Sequence, residues 1–121
     1  MKFTRELPST LTIRSVADDS LMIGDVKYVH TIAITTDRVL QNWTDKPVAN
    51  LVLEDFSDLL ADSPAIIVLG TGSSNIFAPR ELVFAFARHN TGLEVMDTKA
   101  AARTFNVLAG EGRAVAAVLY L

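Results

Sequence analysis

A chain of 121 residues, half of them hydrophobic and 21% charged, is long enough for one domain with one core and too apolar to stay disordered. Its net charge of −3 provides no basic excess to displace counterions from a phosphate backbone, which argues against nucleic acid as a partner. The absence of cysteine excludes disulfides, thiolate zinc sites, iron–sulfur ligation and cysteine nucleophiles.

The opening MKFTRELPST carries no apolar run behind Lys2, so no secretory signal is expected. The longest strongly apolar stretch, Ala114 to Leu121, falls far short of the ~20 residues that span a bilayer. A soluble, cytoplasmic protein without a transmembrane segment is expected.

The first half alternates as β-structure does. Thr10 to Val16 sets Leu11, Ile13 and Ser15 on one side and Thr12, Arg14 and Val16 on the other. The polar turn 17–20 leads into Leu21-Met22-Ile23, and Gly24-Asp25 turns again. Lys27 to Thr36 then aligns Tyr28, His30, Ile32 and Ile34 on one face, completing an antiparallel meander. Trp43 lies in a polar loop. A short helix over Glu54 to Ala61 stops at Asp62-Ser63-Pro64, because the residue before proline disfavours the α region.

The second half has a different rhythm. Ala65 to Leu69 is a continuous apolar run, as in a strand buried on both faces. Pro79 suits the first turn of a helix reaching His89. Gly92 to Met96 is a second strand and Thr98 to Ala109 a second helix, closed by Gly110 and Gly112. Ala114 to Leu121 is a third strand, either central or an edge open to pairing and hence to a homodimer. The fold class is α/β: a single domain, 1–121, whose antiparallel N-terminal part (about 1–45) joins a parallel β-α-β-α-β unit (about 64–121).

Parallel strands place their exit loops on one edge. Gly70-Thr71-Gly72-Ser73-Ser74-Asn75 and Asp97-Thr98 should therefore be neighbours where open α/β sheets bind ligands. The GTGSSN loop lacks a third glycine, and its helix starts too late for a dinucleotide fingerprint. A glycine-rich exit with positive φ is the simpler reading, a ligand or anion cradle the alternative. Asp97 and Thr98 stand where a helix N-cap belongs. That edge shows no second carboxylate and no histidine, so no general acid–base pair is expected. Neither histidine belongs to a cluster with metal-ligand spacing, and no cofactor is implied.

On the last helix, Lys99, Arg103, Asn106 and Gly110 form one stripe, opposite a packing face of Ala101, Phe105, Leu108 and Ala109. The stripe should face solvent or another element. Phe84 lies between Arg80 and Arg88 on its helix, away from Leu82, Val83 and Phe86, a combination suited to a partner interface.

Together, IIVLGTG, EVMDT and AARTFNVLAGEGRAVAAVL resemble the small-domain family that includes the mitochondrial complex I assembly factor 3 and an adipogenesis-associated protein. The Tyr28 strand, Trp43 and Phe77-Ala78-Pro79 follow the same order, and the similarity spans nearly the whole chain. It implies a three-layer α/β fold, no established enzymatic activity, and a role in assembling NADH:ubiquinone oxidoreductase through protein contacts. Expected partners are therefore NADH dehydrogenase subunits or assembly proteins. Signature positions present here are Gly70, Thr71, Gly72, Glu94, Met96, Asp97, Thr98, Arg103, Thr104, Asn106, Glu111 and Arg113. Many relatives have cysteine where this chain has Ala102, so thiol chemistry cannot be essential. The expected function is a non-catalytic interaction module of a bacterial relative. The alternative is a small-ligand binder or enzyme using the edge at Gly70–Asn75 and Asp97–Arg103.

Overall fold

The computed structural model describes residues 11–121, and the start of the first expected strand and the opening segment lie outside them. Two sheets form. The first is a meander of β1 (Ile13–Val16), β2 (Leu21–Ile23) and β3 (Val26–Tyr28), paired antiparallel in that order. The second has five strands: β4 (Ile32–Thr35), β5 (Val39–Leu40), β6 (Ile66–Thr71), β7 (Gly92–Met96) and β8 (Val115–Tyr120), in the order β5-β4-β8-β6-β7. β6 pairs in parallel with both β7 and β8, whereas β4 runs antiparallel to β8 and to β5. The class is the mixed α/β one expected.

The terminal strand is central, flanked by β4 and β6, and Val115 through Leu119 are all buried. Strand pairing with a second copy is therefore unavailable at β8. Its uninterrupted apolar run is the signature of burial on both faces.

Two expectations for the N-terminal half are corrected. Lys27 to Thr36 is not one strand: it breaks at Val29–Thr31, where the chain leaves the small sheet for the large one. Tyr28, Ile32 and Ile34 still share one core cluster, but His30 sits exposed at the corner. Alternation in β1 also fails, because the register slips between Ile13 and Ser15. A bulge inserts one residue and reverses the phase, so Val16 packs into the core beside Ile13.

The segment expected as one helix near Glu54 divides into a 3₁₀ turn over Leu53–Phe56 and a single turn, α1 (Ser57–Leu60). Phe56 and Leu59 are fully buried there. Edge-on aromatic contacts run from Trp43 to Phe56 (5.2 Å) and from Phe56 to Phe86 (5.1 Å). They fasten this segment to α2 (Arg80–His89).

The crossovers explain the layering. α2 links β6 to the adjacent β7, whereas α3 (Thr98–Gly110) returns from β7 past β6 to β8. Connections of the same hand that run in opposite directions along a sheet lie on opposite faces. Accordingly, Ala101, Ala102 and Phe105 of α3 join Ile13, Leu21 and Ile23 of the small sheet in one core cluster. Leu82 and Phe86 of α2 join Val48, Leu51, Phe56 and Leu59 in another. Alternate residues of β8 serve the two: Val115, Ala117 and Leu119 the first, Ala116 and Val118 the second.

Gly70 allows α3 to approach so closely. A Cβ there would lie 2.9 Å from Thr98 Cα, 2.9 Å from Thr98 Oγ1 and 3.0 Å from Ala101 Cβ. Because backbone cannot swing aside as a flexible side chain can, Gly70→Ala is expected to cost about 1–3 kcal/mol. The measurement is the denaturant midpoint at unchanged m-value, and an unaltered midpoint would show that α3 backs away from β6 freely.

Candidate functional site

The carboxyl ends of β6 and β7 meet at the start of α3, as the parallel arrangement demands. There Asp97 and Thr98 take different tasks. Asp97 is the N-cap in extended conformation, and its Oδ1 accepts from Ala100 N–H at 2.9 Å. Thr98, only 2% exposed, faces the neighbouring strands. Its hydroxyl donates to the Tyr120 carbonyl at 2.6 Å and accepts from Gly72 N–H at 2.8 Å. The Thr98 N–H donates back to the Gly72 carbonyl at 2.9 Å. One side chain thus joins the exits of β6 and β8 to the first turn of α3.

The GTGSSN loop owes its shape to two residues. Gly72 has φ +100°, a conformation that L side chains rarely adopt, while Gly70 serves for close approach. The buried Thr71 hydroxyl donates to the carbonyl of Ser74 at 2.7 Å and accepts from Ile76 N–H at 3.1 Å. The carbonyl of Met96 lies 3.3 Å from it. The Gly72 N–H, the donor most able to greet an anion, is already bonded to Thr98.

A recess of about 70 Å³ remains at this edge, lined by Gly72, Ser73, Asp97, Thr98, Lys99, Tyr120 and the 16–18 turn. That is well below the ~300 Å³ at which small-molecule sites usually begin. The lining corrects one expectation, because Asp18 from the N-terminal turn adds a second carboxylate to the recess that Asp97 lines. Nothing in local spacing could show this, since the two lie on different elements joined only by the fold. The Tyr120 side chain packs into the cluster on the α2 face, where burial raises its phenol beyond the ordinary 10.0. The neighbouring Trp43 side chain opposes part of that rise. Tyr120 therefore stays neutral at physiological pH and donates to the Lys46 carbonyl at 2.7 Å.

The polar stripe of α3 divides. Asn106 is not simply turned to solvent: its amide donates to the Ile13 carbonyl at 2.8 Å and accepts from Ile13 N–H at 3.0 Å. It thereby continues the β1 edge as a strand would, and anchors the small sheet to α3. Arg103 and Lys99 are exposed, and neither has a carboxylate within 4.0 Å among the described residues. In particular, Arg103 forms no ion pair with Asp97 or Glu94. Phe84 is exposed on α2, on the opposite face of the sheet from α3.

Residues 13–120 match the model of a family described as a protein of unknown function (DUF498/DUF598). The chain belongs to that family. It is 28% identical over 101 residues to the "13 kDa major membrane protein" of Francisella tularensis, covering 82% of this chain and 80% of that one. A Xanthomonas campestris protein solved by NMR superposes with a TM-score of 0.82 at 30% identity, over 89% of this chain and 82% of that one. A Bordetella pertussis protein described as a Mth938-like domain gives 0.77 at 26% identity, over 99% and 92% of the two chains.

Among the described residues, no group of three or more histidine, aspartate or glutamate side chains is placed to hold a metal ion. At the edge that the strand order selects, the Gly72 N–H and the Tyr120 carbonyl are both bonded to the Thr98 hydroxyl. Thr98→Val keeps the side-chain outline but deprives the Gly72 N–H and the Tyr120 carbonyl of this partner, at about 1–3 kcal/mol for each group left unsatisfied. Thermal or denaturant unfolding of Thr98→Val and Thr98→Ser checks this, with serine expected to retain most of the stability. Equal stability of valine and wild type would show that the hydroxyl is dispensable.

Proposed function

We propose that this protein is a non-catalytic docking module whose partner surface is the outer face of α2 and the loop leading into it. The supporting observation is a concentration of exposed apolar side chains. Of eight large hydrophobics exposed among the described residues, four lie between residues 76 and 84: Ile76, Phe77, Val83 and Phe84. Phe77 is 92% exposed and Phe84 54%. Folding alone does not account for two aromatics so open to water, and clustering distinguishes a patch from scattered surface apolars. Arg80 and Arg88 stand one turn to either side of Phe84, and neither pairs with a carboxylate among the described residues. Aromatic side chains with arginines are the composition enriched at the centre of protein interfaces. The complementary surface would be apolar with an acidic rim.

The sequence resemblance to complex I assembly factors supplies a class of partner: subunits or assembly proteins of a bacterial NADH dehydrogenase. The Francisella relative is called a membrane protein. In this chain no helix among the described residues is long and apolar enough to cross a membrane. Peripheral docking onto a membrane-embedded assembly would reconcile the two, and would give the α2 patch its use.

The test compares wild type with a Phe77→Ala/Phe84→Asp variant in affinity purification from respiring cells, followed by mass spectrometry. Wild type is expected to recover NADH dehydrogenase subunits or assembly proteins, and the variant to lose them. Both side chains are solvent-exposed, so the variant should keep the wild-type melting transition within the small range usual for surface changes. Recovery of no such protein by wild type, or equal recovery by both, would contradict the proposal.

A further inference from the structure

On the other face of the sheet, β1 and α3 enclose a groove of about 310 Å³, lined by residues 13–16 and by Lys99, Ala102, Arg103 and Asn106. Its charged lining is entirely cationic, namely Arg14, Lys99 and Arg103, in a chain whose net charge is −3. Lys99 and Arg103 stand one helical turn apart, a spacing at which like charges destabilise a helix. No described carboxylate lies within 4.0 Å of either. Arg14 rises from the opposite wall at the β1 bulge. Bulges re-aim side chains in this way. Its single ion pair among the described residues, to Asp25 at 3.3 Å, is exposed on both sides and readily exchanged.

The groove is also built to hold its shape. The two-way bond between Asn106 and the Ile13 backbone fixes the distance between its walls. Its floor is apolar, formed by Ile13, Val16 and Ala102. The adjoining recess shares Val16 and Lys99 and contains Asp18 and Asp97, so negative charge bounds one end. An anion would therefore settle toward Arg14 and Arg103. A volume near 310 Å³ sits at the lower end of the range for small-molecule sites.

We propose that the groove between β1 and α3 binds a small amphipathic dianion, an apolar body bearing a phosphate or paired carboxylates. Its charge engages Arg14 and Arg103, with Lys99 alongside, and its apolar part covers Ile13, Val16 and Ala102. Guanidinium groups suit this chemistry because each presents two parallel N–H donors to an oxyanion. This inference is independent of partner docking at α2, which lies on the opposite face.

The experiment is an NMR titration of the ¹⁵N-labelled full chain with phenyl phosphate, phthalate and inorganic phosphate, at low and high ionic strength. Saturable shifts confined to residues 13–16 and 99–106 are expected, tighter for the two aromatic probes than for inorganic phosphate and weaker in high salt. Phenyl phosphate against phthalate separates phosphate from carboxylate chemistry. A Lys99→Gln/Arg103→Gln variant should bind about tenfold more weakly or worse while melting no lower than wild type, since it loses only a repulsive pair. Arg14→Gln should weaken binding with the Asn106–Ile13 bonds intact. The proposal is overturned by shifts that do not saturate, by shifts spread over Arg80, Arg88 and Arg113, or by undiminished affinity in the double variant. It is equally overturned if an acidic peptide saturates the groove and none of the three small anions does.

Discussion

The Thr98 hydroxyl gathers three chain segments at one point, and the arrangement of the molecule follows from that junction. It accepts from the β6 exit loop at Gly72 and donates to the end of β8 at Tyr120, while belonging to the first turn of α3. Such contact requires the helix to touch the strand, which the missing side chain of Gly70 permits. Once α3 is held there, its alanine face meets the sheet and Asn106 reaches the backbone of β1. The small sheet is thus fixed in place through the helix as well as through its own apolar face. A buried polar junction of this kind favours one arrangement, because every alternative leaves hydrogen-bonding groups unpaired.

The same junction shapes the functional proposals. Doubly wound sheets leave a crevice where successive connections depart to opposite faces, and β6 and β7 satisfy that condition here. In this molecule a threonine side chain occupies the crevice mouth and a recess of about 70 Å³ is left. The features suited to recognition lie to either side, with the exposed aromatics of α2 on one face and the cationic groove beside α3 on the other. Phe77 and Phe84 face water at no evident structural advantage, and Lys99 and Arg103 repel each other with no carboxylate within 4.0 Å among the described residues. Both depart from local rules of burial and charge pairing, and such departures are where function is to be sought.

Much of this was legible in the residues. The run at 65–69 marked a doubly buried strand and 114–121 an apolar strand with its place, central or edge, left open, while the helical spacing of Ala101, Phe105 and Leu108 identified the face of α3 that packs. The meeting of the two exit loops followed from strand direction, and residue type put the N-cap at Asp97 or Thr98, of which Asp97 takes it. The β1 bulge was hidden because one inserted residue reverses alternation without any change in composition. The break at His30 was hidden because the strands on both sides keep the same phase. Whether Asn106 faces solvent or another element was open in the sequence because its partner, the Ile13 backbone, lies 93 positions away. Asp18 reached the recess by the same kind of long-range placement, and Phe77 stood out only once its exposure was seen.

Native-state hydrogen exchange at the Gly72 and Thr98 amides tests most directly whether the carboxyl edge is a closed structural junction. Both amides donate within the junction, to Thr98 Oγ1 and to the Gly72 carbonyl. If closure is integral to the fold, their opening free energies should approach that of global unfolding and match those of β6 and β8. Fast exchange at these two amides, beside well-protected strands, would mean that the edge opens on its own. The reading of this edge as structural would then be contradicted.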